Sequence, residues 1–225
     1  MSTLNPHALM GHARRALMAV GVLALLAGCS ALPQKPAPVA RYDFGLQAPQ
    51  TAGAAVPKAS VQAPLVLAKV RASGMPEASA SILYRLAYAN DRELRPYTQA
   101  RWTAPAEQLI QQRVRDTLAQ QRAVLLDDDG ATQALQLPAL PAMLRLEVEE
   151  FSQVFDSSTS SRGVLRMRAT LTEVTPRGEK WLGQQVFSLS QPAASADAAG
   201  GTAALATAVT EAAQQLDAWL RQQGR

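Results

Sequence analysis

Three runs of alternating residues between Met143 and Ser190 restrict this chain more than any other feature. Met143 to Phe155 holds Leu144, Leu146 and Val148 on one parity, then shifts phase around Glu149-Glu150-Phe151, as a β-bulge does. Val164 to Val174 sets Leu165, Met167, Ala169 and Leu171 against Arg166, Arg168, Thr170 and Thr172. Lys180 to Ser190 puts Trp181, Phe187 and Leu189 on one parity. The polar stretch Asp156 to Gly163 and the turn Pro176-Arg177-Gly178 join the runs. Side chains alternate across a strand, so these runs fit long antiparallel strands with one dry and one wet face.

The rest of the chain supplies companions for that sheet. Arg41 to Leu46 is a short strand with Tyr42, Phe44 and Leu46 on one face, and Pro64 to Val70 is apolar enough to be central. Ser81 to Ala89 gathers Ile82, Tyr84, Leu86 and Tyr88 on a face, turns at Asn90-Asp91 and returns through Arg95 to Trp102 as a hairpin. Pro96 has no N–H to give a ladder, so it belongs at the strand's start or at an edge. A helix follows, with Thr103 as cap, Pro105 in the first turn and Glu107 near the positive end of the dipole. Ile110, Val114 and Leu118 form its apolar stripe, widened by Leu109, while Gln111, Gln112, Arg113 and Arg115 face water. It ends near Gln121, before a short strand at Ala123 to Leu126.

After a small-residue connection from Gln191 to Gly201, a last helix spans Thr202 to Gln222. Leu205, Val209, Ala212, Leu216, Trp219 and Leu220 make its core stripe. Gln47 to Ala63 is a Pro/Ala/Gly loop, longer than compact domains usually carry. The sum is an α+β chain: a largely antiparallel sheet packed with two main helices, in a single domain over residues 41–225.

The N-terminus reads differently. Arg14 and Arg15 precede the apolar run Ala16 to Leu26, which ends in Leu26-Ala27-Gly28-Cys29. A charged stretch, a short apolar run and small residues before the cut describe a secretory signal. The ending resembles a bacterial lipobox, in which the cysteine is lipidated and becomes residue one. A membrane-spanning helix needs about 20 apolar residues, and this run stops short of that. Residues 1–28 are therefore expected to be a signal peptide and Cys29 the lipidation site. The Pro/Ala-rich remainder of residues 29–40 then serves as a tether reaching about 30 Å in extended form.

Cleavage changes the inventory. Arg14 and Arg15 leave without any acid, so the net charge of +4 falls to +2, which argues against nucleic acid as a partner. His7 and His12 leave too, and the one remaining Cys carries lipid. Ser-His-Asp and Cys-His catalysis and Cys/His zinc sites are excluded by inventory. Asp127-Asp128-Asp129-Gly130 fails as an EF-hand, because Thr132 and Pro138 stand where the loop needs Gly and Glu; a solvated turn is the better reading. Glu147, Glu149 and Glu150 read as the wet face of a strand, and no GxxxxGK[ST] loop is present. No catalytic residue, metal or cofactor is expected.

Tyr84, Arg85, Tyr88, Tyr97, Arg101 and Trp102 form the densest aromatic and basic group. One reading packs the aromatics of a hairpin on the first helix and lets the arginines snorkel to water. The other makes the group a partner-contact surface, since Tyr, Trp and Arg are enriched at binding hot spots. Sequence leaves both open.

The lipobox at Cys29, the tether into Tyr42-Asp43-Phe44, the run Ile82-Leu83-Tyr84-Arg85, then Tyr97, Trp102, Pro105 and the helix from Leu109 to Leu118 together resemble one family. It is that of the ABC-type transport auxiliary lipoproteins, the PqiC-like proteins among them. The resemblance implies a non-catalytic accessory subunit of an MCE-type ABC lipid transport system supporting envelope integrity. Such a subunit is anchored in the outer membrane by acyl chains, faces the periplasm and meets an MCE-domain protein. Ser30 after the lipidated Cys is compatible with outer-membrane sorting. Two alternatives stand beside it: a lipid-binding carrier, or a scaffold lipoprotein of another envelope machine. Phospholipid and further copies of the chain stay open as partners.

Overall fold

The computed structural model describes residues 38–46, 62–73, 79–127, 140–175 and 177–225. The signal segment 1–28, Cys29 and nearly all of the tether lie outside the described residues, as do most of the 47–63 loop and Asp128 to Gly130. In chain order the elements are β1 (Ala40–Tyr42), β2 (Leu65–Leu67), β3 (Arg71–Ala72), β4 (Ser81–Leu86), β5 (Asn90–Trp102), α1 (Ala106–Leu118), β6 (Val124–Leu126), β7 (Ala142–Phe155), β8 (Ser161–Thr175), β9 (Gly178–Pro192) and α2 (Ala198–Gln222).

The alternating runs become β7, β8 and β9, and β7 organises the sheet. One edge of β7 pairs antiparallel with β8 from Met143–Thr172 to Phe155–Ser161. Its other edge carries three short parallel strands in series: β2 at Ala142 to Leu144, β3 at Glu147 and Val148, and β4 at Gln153 to Phe155. β6 extends β2, β5 returns antiparallel to β4, β1 adds to β5, and β9 lies antiparallel to β8. The product, among the described residues, is an open, mixed, mostly antiparallel sheet with two helices, the expected α+β class. Leu65, Val66 and Leu67 of β2 are all buried, as a strand flanked on both edges by parallel neighbours requires.

Periodicity is converted into packing on the dry face. Leu144, Leu146, Val148, Leu165, Met167, Ala169 and Leu171 are buried there, with Phe187 and Leu189 beside them. Helix α2 covers them with Leu205, Val209, Ala212, Leu216, Trp219 and Leu220, all buried as its spacing foretold. Burial of each such Leu, Val or Phe contributes about 1.5–3 kcal/mol. Two glycines set how closely the helix sits. A Cβ on Gly163 of β8 would lie 2.7 Å from the backbone nitrogen of Leu205, and one on Gly201 would lie 1.9 Å from Oε1 of Gln153. In α1, Ile110, Val114 and Leu118 are fully buried, as expected.

The bulge expected in β7 is present: Val148 pairs with Met167 and Glu150 with Arg166, leaving Glu149 as the extra residue. A second bulge was not foreseen. Leu171 pairs with Gly183 but Thr172 pairs with Trp181, so Leu182 is the extra residue of β9. This reverses the parity assigned to Trp181, which leaves the face of Phe187 and Leu189 and stands 63% exposed on the other.

Other expectations are corrected at element ends. The alternation of Tyr42, Phe44 and Leu46 breaks at Gly45, which takes φ +71° and donates its N–H to the Asp43 carboxylate at 2.8 Å; Leu46 is fully exposed. Tyr88 lies in the turn Ala87–Ala89 rather than in β4, and is exposed. Thr103 does not cap α1: Pro105 takes the N-cap position with no side-chain bond, while the Thr103 N–H donates to the Tyr42 carbonyl at 2.8 Å. Helix α2 starts at Ala198, ahead of the expected Thr202, because the Asp197 carboxylate accepts the Gly200 N–H at 2.8 Å. Pro96 meets its expectation, since β1 covers β5 only at Ala100 to Trp102 and leaves Pro96 on an edge.

Candidate functional site

Pairing of β4 with β5 brings the sequence-selected aromatic and basic residues together on one hairpin, but divides their tasks. Tyr84 and Tyr97 face each other across it, ring centroids 4.7 Å apart, and Tyr84 meets Phe155 edge-on at 5.9 Å. The Tyr97 hydroxyl donates to Gln153 Oε1 at 2.8 Å, and Gln153 Nε2 donates to Ser161 Oγ at 2.7 Å. Gln153 and Ser161 are buried, so this chain satisfies polar atoms that the core could not otherwise hold. Burial, with smaller contributions from Tyr84, Asp197 and Tyr42, pushes the Tyr97 hydroxyl up to about 12. Tyr97 thus stays a neutral donor throughout the physiological range.

The arginines are bonded into the hairpin. Arg85 grips both oxygens of Glu150 on β7, at 3.3 and 2.8 Å, and donates to the Asp91 carbonyl at 3.3 Å. Arg101 donates to the carbonyls of Ala100 and Tyr97. Trp102 is 1% exposed, stacked on Phe151 at 5.8 Å and meeting Phe44 edge-on at 5.4 Å. Tyr88, 53% exposed at the turn, is the member that presents an aromatic ring to solvent.

Two further groups escaped the sequence reading. Arg113, assigned to the wet face of α1, donates to Thr210 Oγ1 at 2.8 Å and to the Phe44 carbonyl at 2.7 Å, tying α1, α2 and the chain after β1 together. It sits at a surface groove of about 970 Å³ that also takes in Arg41, Asp43, Thr202, Thr207 and Gln214. Arg122 is buried and its Nη2 donates to Asp217 of α2 at 2.7 Å, while Arg221 reaches the same carboxylate at 3.1 Å. Among the described residues, the Nε and Nη1 of Arg122 have no hydrogen-bond partner. Nothing local in the sequence marks either arginine, since both partners come from a helix about a hundred residues away.

The wet face of β7, β8 and β9 is laced with ion pairs. Glu149 accepts from Arg166 Nε at 2.6 Å and Arg168 Nε at 2.8 Å, which hold its carboxyl below the usual range. Glu179 is lowered by the Thr172 hydroxyl, at 2.6 Å, and by Arg145. Both carboxylates are thereby held in their charged form. Among the described residues, no three His, Cys, Asp or Glu side chains gather as a metal site, and no helix is long and apolar enough to cross a membrane.

Comparison with known proteins agrees with this architecture. The solved structure of a Xanthomonas campestris protein of the DUF330 family is similar with a TM-score of 0.63 and 20% identity, covering 82% of this chain and 96% of the other. A second solved structure, of an uncharacterized protein, is similar with a TM-score of 0.56 and 12% identity, covering 82% and 99%. At such identities the likeness concerns the fold. No curated protein sequence matches. The family described as ABC-type transport auxiliary lipoprotein component matches residues 44–217, from the buried Phe44 beside Trp102 to Asp217, the partner of Arg122. The match takes in α1, the whole sheet except β1 and most of α2, and the chain belongs to that family of transport auxiliary lipoproteins.

Proposed function

We propose that this chain is the non-catalytic accessory subunit of an MCE-type ABC lipid transport system, anchored through Cys29 in the outer membrane and facing the periplasm. The family match over residues 44–217 carries the reading, and the lipobox that ends in Cys29 supports it. Its work is to hold and orient a partner at the membrane and so to support envelope integrity. The β4–β5 hairpin serves as the contact with the MCE-domain protein: Tyr88 is presented at the turn, Arg85 and Arg101 brace the backbone, and Tyr84, Tyr97 and Trp102 support it from beneath. Exposed Tyr on a rigid frame is what binding hot spots use.

Direct carriage of lipid draws less support. The space between sheet and helices is filled by side chains, and the groove of about 970 Å³ is bordered by Arg41, Asp43, Arg113 and Glu211, charges that an acyl chain would have to desolvate. Extraction in mild detergent tests the two readings. The accessory subunit co-purifies with an MCE-domain protein and a permease. A chain that elutes alone with bound phospholipid is a carrier.

A further inference from the structure

Of the three tryptophans in this chain, Trp102 is 1% exposed and Trp219 is 8% exposed, whereas Trp181 is 63% exposed. A bulge at Leu182 puts it there: without that extra residue, Trp181 would share the dry face with Phe187 and Leu189. On the wet face it lies beside Val174, which pairs with Glu179 two positions along the same strand and is 47% exposed. Arg177 lies at the turn beside the pair, and Lys180, next to Trp181 but on the opposite face of the strand across from Glu173, is exposed as well; no described carboxylate lies within ion-pair distance of either. The nearest acids on the hairpin are already engaged: Glu179 by Arg145 and Thr172, and Glu173 by Arg225 at 3.0 Å. The β8–β9 tip therefore ends in an apolar pair bearing uncompensated positive charge.

We propose that the β8–β9 tip is a second, reversible membrane contact, with Trp181 and Val174 seated at the headgroup boundary of an anionic lipid surface and Arg177 and Lys180 on its phosphates. Tryptophan favours the membrane–water interface, where its apolar body and its N–H are both accommodated. Basic residues near such a surface are attracted to anionic lipid within about a Debye length. The twelve residues from Cys29 to Ala40 hold the body close to the bilayer that carries the acyl chains, so a weak contact suffices. The role this gives the tip is orientation: two fixed points, acyl chains and tip, restrict how the body stands on the membrane where one alone lets it swivel. It goes beyond the accessory-subunit reading and does not depend on which protein partner that subunit meets.

The full lipoprotein, reconstituted into vesicles of phosphatidylcholine with or without phosphatidylglycerol, tests this through tryptophan quenching by acyl-brominated lipid. Flotation reports the acyl anchor separately, so its failure and that of the tip are distinguishable. Quenching is expected in the anionic vesicles and to disappear in Trp181→Phe, since Trp102 and Trp219 are shielded by the fold. Arg177→Gln with Lys180→Gln should weaken the quenched fraction about tenfold, and raised salt should do the same. Equal quenching in wild type and Trp181→Phe would overturn the proposal. So would a blue shift of Trp181 that grows with protein concentration in the absence of vesicles, which would make the tip a contact between copies.

Discussion

The two faces of the β7–β8–β9 sheet are built from the same strands, residue by alternate residue, yet hold together by different physics. On the dry face Leu144, Leu165, Met167 and Leu171 are fully buried under α2, and Gly163 brings the helix backbone into contact with the sheet. On the wet face Arg145, Arg166 and Arg168 alternate with Glu149 and Glu179 in pairs that solvent screens. Stability is therefore concentrated on one face, which leaves the other free to be specified for contact. An accessory subunit of the kind proposed gains from that separation, because surface changes that tune a partner then cost the fold little.

Mutations that act on one face alone break or sharpen this contrast. Leu171→Ala, on the dry face, should cost about 3–4 kcal/mol in denaturant unfolding, since the layer under α2 has little room to collapse. Arg122→Ala should cost about 3 kcal/mol by leaving Asp217 buried with only Arg221, whereas the double variant Arg122→Met, Asp217→Leu should recover most of that loss. Gly163→Ala should cost about 2 kcal/mol, because the added Cβ meets helix backbone rather than a movable side chain. Asp197→Ala, which removes the α2 cap, should cost about 1 kcal/mol.

The wet face should answer chiefly to pH. Hydrogen bonds from Arg166 and Arg168 lower the Glu149 pKa in the folded state. Its contribution is therefore complete above the ordinary carboxylate pKa of about 4.3 and fades as pH falls through the lower folded value. Glu149→Gln should remove that small, solvent-screened contribution at neutral pH and flatten the acid limb of a stability–pH curve by the same amount. An effect at pH 7 as large as that of Leu171→Ala would erase the distinction between the faces.

What sequence could show follows the same division. The three long strands, the β7 bulge and the core stripe of α2 were legible because period-two and three-to-four spacings are local signals of burial. The β9 bulge was not, because the Trp181, Phe187 and Leu189 alternation runs unbroken in sequence and only the pairing with β8 shows Leu182 to be extra. The short strand expected at Ala123 to Leu126 is present as β6, whereas the two-residue β3 exists through pairing with β7, which no local pattern encodes. At the candidate site, types and hairpin placement were readable, since Tyr84, Arg85, Tyr97 and Arg101 do cluster. The burial of Trp102 beneath Phe44 and the bracing by Arg113 required tertiary contacts.

The central claim, that this is the accessory subunit of an MCE-type system, is tested most directly by site-specific photo-crosslinking in intact cells. A crosslinker replacing Tyr88 on the β4–β5 turn, with a control at Thr207 on the exposed side of α2, reports which protein lies against the hairpin. The account predicts an adduct with an MCE-domain protein from Tyr88 and little or none from Thr207. Adducts at neither position, or only with proteins unrelated to lipid transport, would contradict it.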